Sequence, residues 1–138
     1  MFLDDDTFLE GFAGRELAAE HLDHRGHLRI AWLHLSRYGL DASRDLVCGG
    51  IRDFAAKFGA PGKFNHTLSE ALLRIMALRM KQGEGFEAFL QANPDLVDDC
   101  LGVLNRYYSS ERLNSAEACA GWLKPDREPL GPATPESP

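Results

Sequence analysis

Histidines are the residues whose spacing in this sequence could do chemistry. Four of the five lie at positions 21, 24, 27 and 34, and the fifth is His66. His24 and His27 stand three residues apart, so that on a helix their imidazoles project from one turn and can converge on a single metal ion. Near a helix N-terminus the helix dipole favours the neutral imidazole, which is the form that binds metal.

Zinc and iron usually take at least three protein ligands, so a third is needed. His66 lies in the segment KFNHTLSE, with Asn65 before it and Glu70 one turn later. Two helix N-termini that meet over a cleft would form a three-histidine or two-histidine-carboxylate site with open positions. The sequence therefore predicts one divalent transition metal ion (Fe, Zn, Mn or Cu) held by His24, His27 and His66, with Asn65 or Glu70 as further candidates. The alternative, histidines that are only hydrogen-bonded or exposed, stays open.

The helix that must position His24 and His27 is predicted over residues 24–38. Asp23 is a plausible N-cap, and Gly39 suits the left-handed conformation that ends a helix. On the helical wheel the histidines share the inward side with apolar residues, and the arginines face water.

The rest of the chain also predicts helices. Residues 41–59 repeat apolar side chains at steps of three and four, and Gly49 and Gly50 inside this stretch would allow a close helix crossing or a bend. Thr67 to Glu70 is typical of a capping box that opens a helix over residues 68–82. Shorter helices fit residues 5–12, 84–92, 95–107 and 115–123. The predicted fold is all-α, a compact bundle of about five to seven short helices.

Length and composition predict one domain. The 138 residues are 44% hydrophobic and 26% charged, as in ordinary globular proteins. Residues 1–123 are predicted to form a single helical domain. Residues 124–138 hold five of the seven prolines and are predicted to be an extended or disordered tail, in which 125–130 could still pack as a strap. The three cysteines lack C-x-x-C spacing and are expected to be reduced.

Charge and hydropathy bear on location and partners. No apolar run is long enough for a membrane helix, and the N-terminus carries acid where a signal peptide carries base, so a cytoplasmic protein without membrane contact is expected. Residues 24–82 are basic between acidic ends. This pattern could attract an anionic partner, although such helices more often pair with acidic neighbours in the fold. Overall acidity, with a net charge of -6, argues against nucleic acid as the partner.

The segments HRGHLRIAWLHLSRYG, KFNHTLSEAL, YYSSERLNSAEA and PDREPL together resemble a family of small bacterial helical proteins known only as hypothetical proteins. The resemblance spans most of the chain and implies a compact helical domain without implying an activity. Similar sequences read K-Y-H-E-T in the second segment, so Asn65 stands where a histidine is expected, and His66 is either a displaced substitute or no ligand.

Three functions follow as hypotheses. The first is a metal-binding protein or metal-dependent enzyme that acts on a small molecule through the histidines. The second is a non-catalytic module that binds a protein partner. The third is a helix-turn-helix DNA binder, because LHLSRYGLDASRDLVCGGI reads as helix, glycine turn and helix. The sequence favours the first narrowly and leaves open whether the protein is an enzyme.

Overall fold

A computed structural model describes residues 3–130 of the chain. They are all-helical, without a strand. They group into two compact units, one that ends at Phe64 and one that begins at Asn65. Whether residues 1–123 form a single domain stays a prediction.

The first unit contains two helices, α1 (Asp5–Ala13) and α2 (His24–Lys57), and two short 3-10 turns, Ala19–Leu22 and Pro61–Lys63. Asp23 caps α2 as predicted, since its carboxylate accepts the Gly26 N–H at 2.7 Å. The predicted stop at Gly39 is confirmed as a break within α2. Gly39 has φ +80°, and the chain is helical both before and after it. The predicted helices 24–38 and 41–59 are therefore the two arms of α2.

The core of this unit is built where α1 crosses the second arm of α2. The Phe12 ring stacks on Phe54 with centroids 5.7 Å apart and meets the edge of His34 at 5.5 Å. A Cβ atom on Gly50 would lie 2.2 Å from Phe12 Cζ, so only glycine leaves room for this ring. The close crossing predicted from the glycine pair is confirmed at Gly50, whereas a Cβ atom on Gly49 would meet only Arg52 Nη2, at 3.9 Å.

The basic side chains of α2 pair with acids in the same unit. Arg29 bonds Asp5 at 2.8 Å, and its guanidinium lies 4.3 Å from the centre of the Phe8 ring. Arg37 pairs with Asp6 at 3.1 Å. The acidic N-terminal segment thus neutralises part of the basic segment, as the commoner interpretation expects. The expectation that the arginines all face water is wrong for Arg29, because its guanidinium lies over the Phe8 ring and its side chain is only 12% exposed.

The second unit consists of six helices in the described residues, which are α3 (His66–Arg79), α4 (Phe86–Ala92), α5 (Pro94–Asp98), α6 (Cys100–Asn105), α7 (Ser110–Leu113) and α8 (Ala116–Ala120). With α1 and α2, the described residues contain eight α-helices, more than the five to seven predicted. The predicted helix 95–107 is divided at Asp99, whose carboxylate caps a new start at Gly102 N–H. Ser109 caps the four-residue α7, which the sequence analysis missed because so short an element has no periodicity.

None of the helices within residues 3–130 has the length and hydropathy of a membrane span. The three cysteines are free thiols; Cys48 is buried, and Cys100 and Cys119 are half-buried. Residues 131–138 of the predicted extended or disordered tail lie outside the described part of the chain.

Candidate functional site

The start of α3 differs from its prediction. Asn65 is the N-cap, since its side-chain oxygen accepts the Leu68 N–H at 3.0 Å and its amide donates to Leu113 O at 2.7 Å. The predicted capping box is therefore wrong. Because Asn65 starts the helix earlier than predicted, Thr67 and Glu70 lie inside α3, where both are buried.

Glu70 is the centre of a polar row on α3. One carboxylate oxygen lies 3.0 Å from His66 Nε2, and the other accepts bonds from Arg74 Nε and Nη2 at 3.0 and 2.8 Å. The three residues follow each other at i, i+4 and i+8, so they share one face of the helix. The side chain of Glu70 is only 4% exposed, whereas those of His66 and Arg74 are 29% and 24% exposed.

Burying a carboxylate costs several kcal/mol unless its oxygens are satisfied, and here both oxygens have partners. The contact also fixes the imidazole of His66. Because a carboxylate only accepts hydrogen bonds, the nitrogen facing it carries a proton. Nε2 is then the donor, and Nδ1 is the nitrogen that holds the lone pair in the neutral ring. A half-exposed histidine oriented by a buried carboxylate is the arrangement that histidine metal ligands and histidine bases commonly share.

Residues 121–127, which we call the strap, pack against α3 and α7. The Arg74 guanidinium lies 4.4 Å from the centre of the Trp122 ring, a cation–π contact. Trp122 also meets the ring of Tyr108 edge to face at 6.4 Å. Tyr108 is fully buried, and burial raises the pKa of its phenol far above the usual range. The polar row and the strap thus share Arg74.

The main chain of the strap is tied to the helices. Thr67 Oγ1 donates to Gly121 O at 2.5 Å and accepts the Leu123 N–H at 3.0 Å. The Tyr108 hydroxyl donates to Leu123 O at 2.7 Å, and Arg112 Nε donates to Lys124 O at 2.6 Å. Thr67 and Tyr108 are therefore partnered by strap backbone, although the sequence placed Thr67 in a helix cap.

The far end of the strap closes on the start of α7. Asp126 accepts the Ser109 N–H at 2.7 Å and the Ser109 hydroxyl at 2.6 Å, and the Arg127 N–H donates to Tyr107 O at 2.9 Å. The Ser109 contacts, with Arg112 nearby, lower the pKa of the Asp126 carboxyl. An open depression of about 440 Å³ lies along this seam and includes Ser109 and Asp126 in its lining. The depression is the edge of the strap, because Ser109 and Asp126 in its lining already hydrogen-bond to each other.

The predicted metal ligands lie in both units. His24 is exposed at the first turn of α2, so the expectation that it points inward is wrong. His27 is half-buried; burial lowers the pKa of its imidazole, and His24 nearby lowers it further. His66 is the residue held by Glu70. Within residues 3–130 no group of three or more His, Cys, Asp or Glu side chains is arranged to hold a metal ion.

His34 is the histidine that the sequence placed on the same helix but not in the metal site. It is 6% exposed, and its Nδ1 lies 2.8 Å from Ile30 O within α2. Burial lowers the pKa of its imidazole; the Ile30 carbonyl acts in the opposite direction, and Arg37 lowers the pKa further. His34 is thus a core histidine with a backbone partner.

No protein-family model, curated protein or solved structure matches this chain. The resemblance to a family of small bacterial proteins therefore stays an expectation.

Proposed function

We propose that this protein binds a divalent transition metal ion through Nδ1 of His66, with Glu70 as the residue that orients the ligand, and that the open positions of the ion serve a small-molecule ligand. The observation that carries the proposal is the 3.0 Å contact between the buried Glu70 carboxylate and Nε2 of the half-exposed His66. Histidine ligands usually give their second ring N–H to such a carboxylate, which fixes the tautomer and raises the basicity of the ligating nitrogen.

Arg74 supports this role for Glu70. Its two hydrogen bonds occupy the second oxygen of Glu70 and hold the carboxylate in position. Glu70 is then an orienting residue and not a ligand of the ion itself. The further ligands foreseen in the sequence, His24 and His27, stay predictions, and water fills any position that protein does not.

Metal titration by calorimetry tests the proposal with Zn²⁺ and Fe²⁺ as probes, the iron under anaerobic conditions. His66→Ala should lower the affinity at least tenfold. His21→Ala is a matched control, because His21 also faces a carboxylate, that of Glu20 at 3.7 Å, but Glu20 is 70% exposed. Equal affinities in wild type and His66→Ala would overturn the proposal. A His24→Ala/His27→Ala double variant shows separately whether those two residues contribute.

A non-catalytic interaction module is the second candidate. It is favoured by the strap, whose contacts with the helices are mainly to its main chain, as a bound peptide's would be. The helix-turn-helix hypothesis gains no such support. The break at Gly39 is one residue long, whereas helix-turn-helix motifs use a turn of about three or four residues. Arg44 in the second arm also pairs with Asp41 at 2.9 Å.

A further inference from the structure

The break in α2 has the geometry of a hinge. Gly39 has φ +80° and ψ 175°, a backbone conformation that is open almost only to glycine. A Cβ atom built on Gly39 would have no atom of another element, among residues 3–130, within 4 Å. No packing at the break itself therefore resists a turn of one arm of α2 against the other.

The helix α1 contacts both arms across this break. Arg29 and Arg37 join its first residues to the first arm. Near the end of α1, the Phe12 ring stacks on Phe54 in the second arm. The same ring meets the imidazole of His34 in the first arm at 5.5 Å, so one side chain of α1 touches both arms.

The imidazole of His34 is satisfied as a neutral ring. Its Nδ1 donates to Ile30 O, because a carbonyl only accepts hydrogen bonds, and Nε2 therefore holds the lone pair. Within residues 3–130 this is the one hydrogen bond that the ring makes. Its other contacts are the rings of Phe12 and Tyr38. A proton on Nε2 would thus place a charge beside aromatic rings at a position that is 6% exposed, which is unfavourable.

The charged groups around this imidazole also oppose protonation. Arg37 on the same arm lowers the pKa of the ring, in addition to the larger effect of burial. Asp6 on α1 is paired with Arg37 at 3.1 Å. Arg15, which follows α1, and Lys57 on the second arm lie 5.7 and 5.9 Å from the centres of the stacked phenylalanine rings. Asp53 on the second arm is bonded to Arg15 at 3.0 Å, so the two acids named here already have cationic partners.

We propose that α2 is an acid-sensitive hinge, in which a proton on His34 releases the Phe12 ring from the first arm and the two arms then turn about Gly39. The inference is independent of the metal ion, because His34 is not among its predicted ligands. Above a pH of about 6.5 the ring is neutral in the closed and the open form. Below that pH the open form binds the proton first, so its population relative to the closed form rises by up to about tenfold for each pH unit.

The test is NMR spectroscopy of the full chain between about pH 5 and 7.5. The Cε1–H resonance of His34 reports protonation of the ring, and the Phe12 ring resonances report the contact. Residual dipolar couplings of the backbone amides give the angle between the arms. In wild type all three should change with one midpoint, whereas the angle should stay constant in His34→Gln, whose side chain is neutral throughout. His24→Gln, at an exposed position, is the matched control and should behave as wild type does.

The wild-type data decide the question even if His34→Gln does not fold. An angle between the arms that stays constant while His34 takes up its proton would overturn the proposal. A ring that stays neutral until the whole chain unfolds would also overturn it, since acid would then act on the fold and not on the hinge. The metal titration is a separate readout, so failure of one proposal does not imply failure of the other.

Discussion

Glu70 and His66 form a carboxylate–histidine pair one helical turn apart, with the carboxylate buried and the imidazole half-exposed. This relationship joins the predicted metal ligand to the interior of the second unit. It also explains why α3 holds a charged residue among its buried positions, since both oxygens of Glu70 are bonded by its own helix.

Replacing Glu70 by glutamine should weaken metal binding by roughly 10- to 100-fold, as is typical for loss of the residue that orients a histidine ligand. The amide keeps the size of the side chain, but it lacks the negative charge that raises the basicity of the ligating nitrogen, and it no longer acts only as an acceptor toward Nε2. Calorimetric titration with Zn²⁺ measures the change. A Glu70→Gln chain that is folded by circular dichroism and binds as tightly as wild type would show that Glu70 has no such role.

Replacing Glu70 by alanine should lower the free energy of unfolding by about 2 to 3 kcal/mol, less than for a fully buried ion pair because Arg74 is partly exposed. Urea denaturation measures the loss. Asp98→Ala, an exposed carboxylate in the same unit, is the control and should stay within about 0.5 kcal/mol of wild type. Equal effects of the two substitutions would mean that the polar row does not stabilise the unit.

The glycine pair in α2 should respond in opposite directions. Gly50→Ala should destabilise the protein by about 1 to 3 kcal/mol, because the new Cβ would lie 2.2 Å from the Phe12 ring. Gly49→Ala should stabilise it by up to about 1 kcal/mol, since the nearest atom is Arg52 Nη2 at 3.9 Å and alanine is the better helix former. Thermal and urea unfolding of both variants check this prediction. Destabilisation of similar size in both would contradict the crossing of α1 over Gly50.

Acid should destabilise the protein through His34. Its pKa is lowered in the folded protein because of burial, so as the pH falls below about 6.5 the unfolded chain binds the proton first. The contribution of His34 to the free energy of unfolding is then fully present above that pH. It decreases as the pH falls toward the pKa of His34 in the folded protein, by up to about 1.4 kcal/mol per pH unit. Urea titrations at several pH values between 5 and 7.5 should show a smaller slope for His34→Gln than for wild type.

His24→Gln, at an exposed position, is the surface control for this slope. If His34→Gln and wild type lose stability in parallel, the acid sensitivity belongs to other groups.

Thr67→Val should destabilise the second unit by about 1 to 3 kcal/mol, because it leaves Gly121 O and the Leu123 N–H without their partner. Thr67→Ser keeps the hydroxyl and should cost less than about 1 kcal/mol, the value of one buried methyl group. Hydrogen exchange at the Leu123 amide separates this role from a helix cap, since only Thr67→Val should accelerate it. Equal exchange in both variants would contradict the strap contact.

The parts of the fold that the sequence predicted correctly are local. Asp23 caps its helix by accepting the N–H of Gly26, three residues later. The break at Gly39 depends on the backbone conformation of that residue alone. Thr67 was misassigned because its partners lie 54 and 56 residues further along the chain. A capping pattern and an interior hydroxyl look the same in one dimension, so a strap over residues 125–130 was foreseen without its contact to Thr67.

The same limit applies to the site. His66 and Glu70 were both named from the sequence as candidate metal ligands at the start of a predicted helix. The role of Arg74 was not recognised, although its i+4 spacing from Glu70 was a signal that could have found it. The exposure of His24 depends on what covers the start of α2, which no local pattern specifies.

The measurement that tests the central claim most directly is a long-range ¹H–¹⁵N spectrum of the His66 imidazole, recorded before and after one equivalent of Zn²⁺. We expect a ring protonated at Nε2 toward Glu70, and a metal-induced shift of the Nδ1 resonance that is smaller in Glu70→Gln at the same metal concentration. An Nδ1 resonance that Zn²⁺ does not move in a folded wild-type protein would contradict it and leave the pair as a structural contact of α3.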